Sequence, residues 1–204
     1  MKKEIYFITA TNTDVGKSYA SEVFLKKLSN DKIKVGYFKP IETGVIDTPA
    51  DGSKLLNIAK ELNPNFKVDL DNVVPYKFPL AAAPFIAKEN TNIDIEYILK
   101  KATYLLKFCD TLIVEGAGGL MVPIDIDFFM IDLIKIFQKK FNAKVILISP
   151  SNLGSINDTL LSQNTLKQKD IKYEWYINLF KDKDSFNSVT LPFYKEYFDK
   201  ISFL

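Results

Sequence analysis

The chain has 204 residues, 47% hydrophobic and 25% charged, the balance of a globular domain with a substantial core. Its net charge is only +2, with lysines interspersed among acids, which disfavours nucleic acid as the main partner. It has no histidine and no arginine, which excludes a histidine base or metal ligand, a Ser-His-Asp triad, and an arginine finger from this chain or an identical partner.

A first strand is predicted over 4–9, on the run Ile5-Tyr6-Phe7-Ile8. It reads as a strand rather than a leader peptide, because Glu4 precedes it and a lysine-bearing turn follows at once. That turn, TATNTDVGKS over Thr9 to Ser18, opens a helix predicted over 17–29. A strand, a tight loop and Gly16-Lys17-Ser18 build a cradle for nucleotide phosphates, because the amides and dipole of the helix N-terminus favour an anion. Lys17 is placed to reach the terminal phosphates and Ser18 to bind Mg²⁺. The loop departs from the general GxxxxGK pattern: Thr11 stands where that pattern has its first glycine, and Ala10 beside it is not glycine either.

A second strand over 33–38 ends at Lys39-Pro40, and a loop with Gly44, Pro49 and Gly52 leads to a helix over 53–62. Residues 65–93 are punctuated by prolines and read as irregular. A helix over 94–107 feeds the strand TLIVEG, followed by a glycine-rich turn at 116–119. A helix over 128–141, a strand over 143–149, a helix over 155–168 and a strand over 172–178 complete the alternation, before a short helical end. Short apolar runs suit strands buried on both faces, and their alternation with helices predicts a three-layer α/β/α fold with a mostly parallel sheet, P-loop NTPase-like, as one domain over 1–204. In such sheets ligands bind beyond the carboxyl ends of the strands, where the loops after residues 9, 38, 115, 149 and 178 gather. No apolar run approaches the roughly 18 residues that cross a membrane. The single cysteine, Cys109, allows no internal disulfide, which fits a cytoplasmic protein with no membrane partner.

Four segments in order, TATNTDVGKS at 9–18, KPIETG at 39–44, VEGAGG at 114–119 and LGSIND at 153–158, resemble the ATP-dependent dethiobiotin synthetase family. The resemblance covers most of the chain and thins after about residue 180. It implies ring closure of 7,8-diaminopelargonic acid with CO₂ or bicarbonate and MgATP, through a carbamate and its mixed anhydride with phosphate, to dethiobiotin, ADP and phosphate. In such chemistry the substrate supplies the nucleophile and the protein positions reactants and neutralises charge, which suits a chain without histidine.

The resemblance also implies site residues. Asp14, Val15, Gly16, Lys17 and Ser18 would wrap the phosphates, with Tyr19 beside the nucleotide. Lys39 would be the catalytic lysine, assisted by Lys17, and Thr13 would face substrate or γ-phosphate. Thr43 stands where the family has a substrate-contacting serine. Mg²⁺ would be held by Ser18, Glu115 and Asp51, with Asp47 the alternative in that loop. Gly116, Ala117 and Gly118 would approach the nucleotide and Gly119 the substrate. Asn152, Leu153 and Gly154 would serve the substrate carboxylate across a homodimer, and Ala81 to Pro84 would lie over the substrate chain. Asn178 and the segment Leu191-Pro192-Phe193 would contact the base, although Leu179 stands where the family usually has aspartate.

Two rivals stand beside this reading. A switch ATPase of the positioning or partitioning type carries a signature lysine in the loop, at the position of Asn12 here. A corrinoid-type amidating enzyme needs a glutaminase domain with a nucleophilic cysteine, and Cys109 has no histidine to activate it.

Overall fold

A computed structural model describes residues 3–180 and 183–204. The first apolar run forms β1 (Glu4–Ala10), and Gly16, at a φ of 98°, turns the chain into α1 (Lys17–Asn30). This helix buries Ala20, Phe24, Leu25 and Leu28, spaced three and four apart, and leaves Lys26 and Lys27 in water. Next come β2 (Val35–Phe38), β3 (Ile41–Thr43) and α2 (Ala50–Leu62). The α2 helix starts three residues before the sequence expectation, which puts Asp51 in its first turn rather than in a loop.

The stretch expected to be irregular holds α3 (Leu70–Val73), β4 (Tyr76–Phe78) and α4 (Pro84–Ala87). Strand β4 lies parallel to β3, with Ile41, Glu42 and Thr43 opposite Tyr76, Lys77 and Phe78. Three-residue strands carry too little periodicity to be read from sequence, and their pairing is a tertiary fact. In α5 (Ile95–Leu105) the Asp94 side chain accepts from the Glu96 amide at 2.9 Å.

Strand β5 (Thr111–Gly119) extends through the glycines expected to turn, with a shift of its register against β1 and Gly118 at a φ of 66°, and β6 (Pro123–Asp125) with β7 (Phe128–Phe129) makes a small antiparallel ribbon. Then α6 (Met130–Phe141) begins where Asp132 accepts from the Phe129 amide at 3.0 Å. The chain ends with β8 (Lys144–Pro150), α7 (Ser155–Gln168), β9 (Tyr173–Asn178), α8 (Lys183–Val189) and α9 (Leu191–Tyr197).

The main sheet has the order β2-β5-β1-β8-β9, and every pair in it is parallel. On β1, Tyr6 meets Phe24 of α1 while its neighbour Phe7 meets Phe137 of α6 edge-on at 5.3 Å. Adjacent strand residues point to opposite faces, so the two helices cover the two sides of the sheet and the expected three layers are present. Among the described residues, no helix is long and apolar enough to cross a membrane.

Candidate active site

A cavity of about 860 Å³ opens beyond the carboxyl ends of β1, β2, β5 and β9, where a parallel sheet of this kind leaves room for a ligand. Its floor is the loop after β1. The left-handed residues there are Asp14, at φ 56°, and Gly16, whereas Ala10 and Thr11 are not left-handed. The position that lacks the usual glycine therefore needs none: the Thr11 amide continues the sheet by donating to the Ile148 carbonyl at 2.9 Å. At Gly16 the need is real. A Cβ there would lie 2.0 Å from Nδ2 of Asn178, on a backbone that L side chains rarely adopt. The Lys17 ammonium bends back to donate to the Asn12 carbonyl at 3.1 Å. Burial holds its pKa below the usual lysine range, with the Glu115 charge working the other way.

Beside the loop lies a charged cluster around Glu115, the fully buried acid of β5. Its Oε2 accepts from Ser21 Oγ at 2.7 Å and Tyr37 OH at 3.1 Å. Its Oε1 accepts from Ser18 Oγ at 2.8 Å and Lys39 Nζ at 2.9 Å. A buried carboxylate is tolerated only when so satisfied. Lys39, itself 6% exposed, also donates to Asp51 Oδ2 at 2.5 Å. Burial works against the Lys39 ammonium, but Glu115 and then Asp51 outweigh it and hold the pKa above that of a free lysine. Burial likewise opposes the Asp51 charge, and Lys39 overcomes it to hold that carboxyl below its ordinary range. For Tyr37, burial and the Glu115 charge act together and push the phenol well up.

A family model described as an AAA domain matches residues 4–177. The ATP-dependent dethiobiotin synthetase BioD of Sulfurovum sp. is 49% identical over 193 residues, covering 94% of this chain and 90% of that protein. Its counterpart in Wolinella succinogenes is 35% identical, covering 93% of this chain and 88% of that protein. The chain belongs to the ATP-dependent dethiobiotin synthetase family. A plasmid partition protein from Borrelia burgdorferi superposes with a TM-score of 0.59, covering 100% of this chain and 90% of that one at 15% identity. That likeness is one of fold, the P-loop NTPase fold, and the relatives favour an ATP-dependent ligase over a partitioning switch.

The residues expected from the dethiobiotin synthetase resemblance divide into two groups. From the phosphate loop, Thr13, Asp14, Gly16, Lys17, Ser18 and Tyr19 line the cavity. From beyond the loop so do Lys39, Thr43, Asp51, Glu115 and the backbone of Gly116 to Gly118, Ala117 included. Val15 is buried beneath the loop and presents its carbonyl to Asn178. Asp47, the alternative to Asp51, is exposed and is not among the lining residues. Ala81 lies close to Gly44, so the 81–84 segment sits beside the Thr43 end of the cavity.

Seven expected residues lie elsewhere. Gly119 borders a separate small depression with Thr11 and Asn12, on the far side of the loop. Asn152, Leu153 and Gly154 stand at the start of α7 outside this cavity, with Leu153 78% exposed. Leu191, Pro192 and Phe193 form the first turn of α9 and do not reach the cavity. The physical reason lies in the tail: α9 docks through Tyr194 against Trp175 at 5.1 Å, and residues after it return along β9. The Ile177 amide donates to the Ser202 carbonyl at 2.8 Å and the Leu204 amide to the Ile177 carbonyl at 3.1 Å. The wall near β9 is consequently made by Leu179, Phe180, Lys183 and Leu204. Asn178 lines the cavity, but its amide donates to the Val15 carbonyl at 3.1 Å and braces the phosphate loop.

Three polar residues at the site escaped sequence reasoning. Ser21 lies three residues after Ser18 on α1, and Tyr37 lies two before Lys39 at the end of β2, spacings that share a face of a helix and a strand. Those spacings were the available signal. The third, Glu42, sits inside KPIETG and accepts from the amides of Asp51 and Gly52.

Proposed function

We propose that residues 1–204 act as one catalytic domain that carboxylates and closes 7,8-diaminopelargonic acid to dethiobiotin at the expense of ATP. The observation that carries this reading is Lys39, a buried ammonium held between Asp51 and Glu115 beside the phosphate loop, whose Ser18 bonds the same Glu115 oxygen. Lys17 and the loop amides take the phosphates of ATP, and Lys39 supplies a fixed positive charge to the carbamate and to the phosphoryl group moving between them. One amine of the substrate adds to CO₂, and the carbamate oxygen takes the γ-phosphoryl group, releasing ADP. The second amine then attacks the carbamoyl carbon, and phosphate leaves as the ring closes. Thr13 and Thr43 orient the substrate, whose own amines serve as nucleophiles.

The donor set fits Mg²⁺. Ser18 Oγ, Asp51 and Glu115 converge with oxygen atoms only, and among the described residues no group of three or more carboxylates, thiols or imidazoles forms a closed metal cage. Mg²⁺ characteristically takes one or two carboxylates and completes its shell with phosphate oxygens and water. When bound it would offset the charge of the phosphates. Asn152, Leu153 and Gly154, which lie away from this cavity, are assigned to the substrate carboxylate of the second subunit in a homodimer. The single buried cysteine suits a cytoplasmic enzyme.

Phosphate release from MgATP, measured with and without diaminopelargonic acid and bicarbonate, tests the reading. Release that requires both, with an equal amount of dethiobiotin, is the expected result. Hydrolysis indifferent to either compound would overturn it in favour of a switch ATPase.

A further inference from the structure

Helix α2 carries Asp51 in its first turn, yet its N-cap is Pro49, which has no side chain able to accept from the free amides there. The acceptor comes from another element. Glu42 of β3 takes the Asp51 amide on Oε1 at 3.1 Å and the Gly52 amide on Oε2 at 2.9 Å. Glu42 is 6% exposed, and a carboxylate at a helix N-terminus meets both unpaired donors and the favourable end of the dipole. The fit is tight: a Cβ at Gly52 would stand 3.0 Å from Glu42 Oε2 and 2.3 Å from Val74 Cγ2.

Both ends of this contact are tied to the site. Strand β3 is fixed by its pairing with β4, and Thr43, next to Glu42, lines the cavity. The Asp51 side chain is 43% exposed, so few neighbours hold it directly; its place against Lys39 is set by where the backbone of the first turn lies. We propose that Glu42 is a positioning residue that caps α2 from β3 and so holds Asp51 against Lys39 and beside Ser18. The inference rests on the roles given above to Lys39 and Asp51. Two amides require two acceptors, which a carboxylate has and a carboxamide lacks, since its NH₂ end would confront an N–H.

The test is a double-mutant cycle read by Mn²⁺ binding to the full chain with a non-hydrolysable ATP analogue, followed by electron paramagnetic resonance. Glu42→Gln is expected to weaken Mn²⁺ binding roughly 10- to 100-fold, the range for residues that orient a metal ligand. Asp51→Asn is expected to weaken it at least as much, and the double variant to be no weaker than Asp51→Asn alone. Normal binding in Glu42→Gln, or losses that add in the double variant, would overturn the positioning role while leaving Asp51 in place. Normal binding in Asp51→Asn would instead remove the metal assignment, and the proposal with it. If Glu42→Gln does not fold by circular dichroism, Gly52→Ala perturbs the same contact from the helix side. The same non-additivity with Asp51→Asn is then expected, and additive losses would overturn the role.

Discussion

The two ends of the cavity are built by different physics. At the phosphate end, Glu115 alone accepts from four side chains, and Lys39 joins it to Asp51. Glu115, Ser21, Tyr37 and Lys39 are buried there, and each is satisfied by a partner of defined geometry, so their charges and dipoles are held in place. At the β9 end the wall is Leu179, Phe180, Lys183 and Leu204, and the amide of Asn178 is committed to the loop carbonyl of Val15. The first end can direct charge during a reaction; the second mainly offers apolar surface. On the proposed function, the contrast implies that the charged end handles phosphate chemistry strictly and the β9 end reads the base weakly.

The comparison can be broken most decisively at Lys39. Lys39→Ala is expected to lower kcat roughly 10²- to 10³-fold, the usual cost of removing one electrostatic stabiliser, while ATP binding by calorimetry changes little. Near-normal turnover would show that the charged wall is structural. Next in size is Lys17→Ala, which removes charge-assisted bonds to the phosphates and is expected to cost about 1.5–3 kcal/mol of ATP affinity. Titration of a fluorescent ATP analogue reads this directly, and an affinity within twofold of the parent would contradict the loop assignment.

Gly16→Ala sharpens the link between the two ends, because its new Cβ would drive into Asn178 while the backbone keeps a φ of 98°. Thermal denaturation is expected to show a loss of about 1–2 kcal/mol from the backbone strain alone. An unchanged melting temperature would contradict both the left-handed backbone at Gly16 and its contact with Asn178. The smallest effect is expected at Leu204→Ala. Trimming that apolar wall should shift kcat/KM for ATP relative to other nucleoside triphosphates by less than about tenfold, the scale of a few lost methylenes in a pocket. A hundredfold change in that ratio would make the β9 end a true base reader and dissolve the contrast.

The same division governs what could be read from the chain beforehand. The phosphate end was legible because its residues sit in short contiguous segments, TATNTDVGKS, KPIETG and VEGAGG, placed just after apolar runs. Local spacing also allowed Ser21 and Tyr37 to be found, had the faces of α1 and β2 been followed. By contrast, Leu191, Pro192 and Phe193 were misplaced because the position of a tail depends on what it docks against. Here Tyr194 and Phe198 pack on Trp175, and the following residues pair with β9. The sequence already favours Asp51 over Asp47, but the place of Asp51 in the first turn of α2 did not show there, because a proline and two glycines nearby obscured where the helix starts.

What the sequence determined by itself is the alternation of buried strands and amphipathic helices, and with it the parallel sheet and the phosphate loop, because these follow from periodicity and turn chemistry within a few residues. What only the tertiary structure decided is which distant groups meet. Glu115 gathers Ser18, Ser21, Tyr37 and Lys39, and Glu42 reaches the first turn of α2 from the edge of a three-residue strand. Such contacts depend on strand order and helix docking, and a buried charge finds its partners through the packed interior, where separation along the chain carries no information.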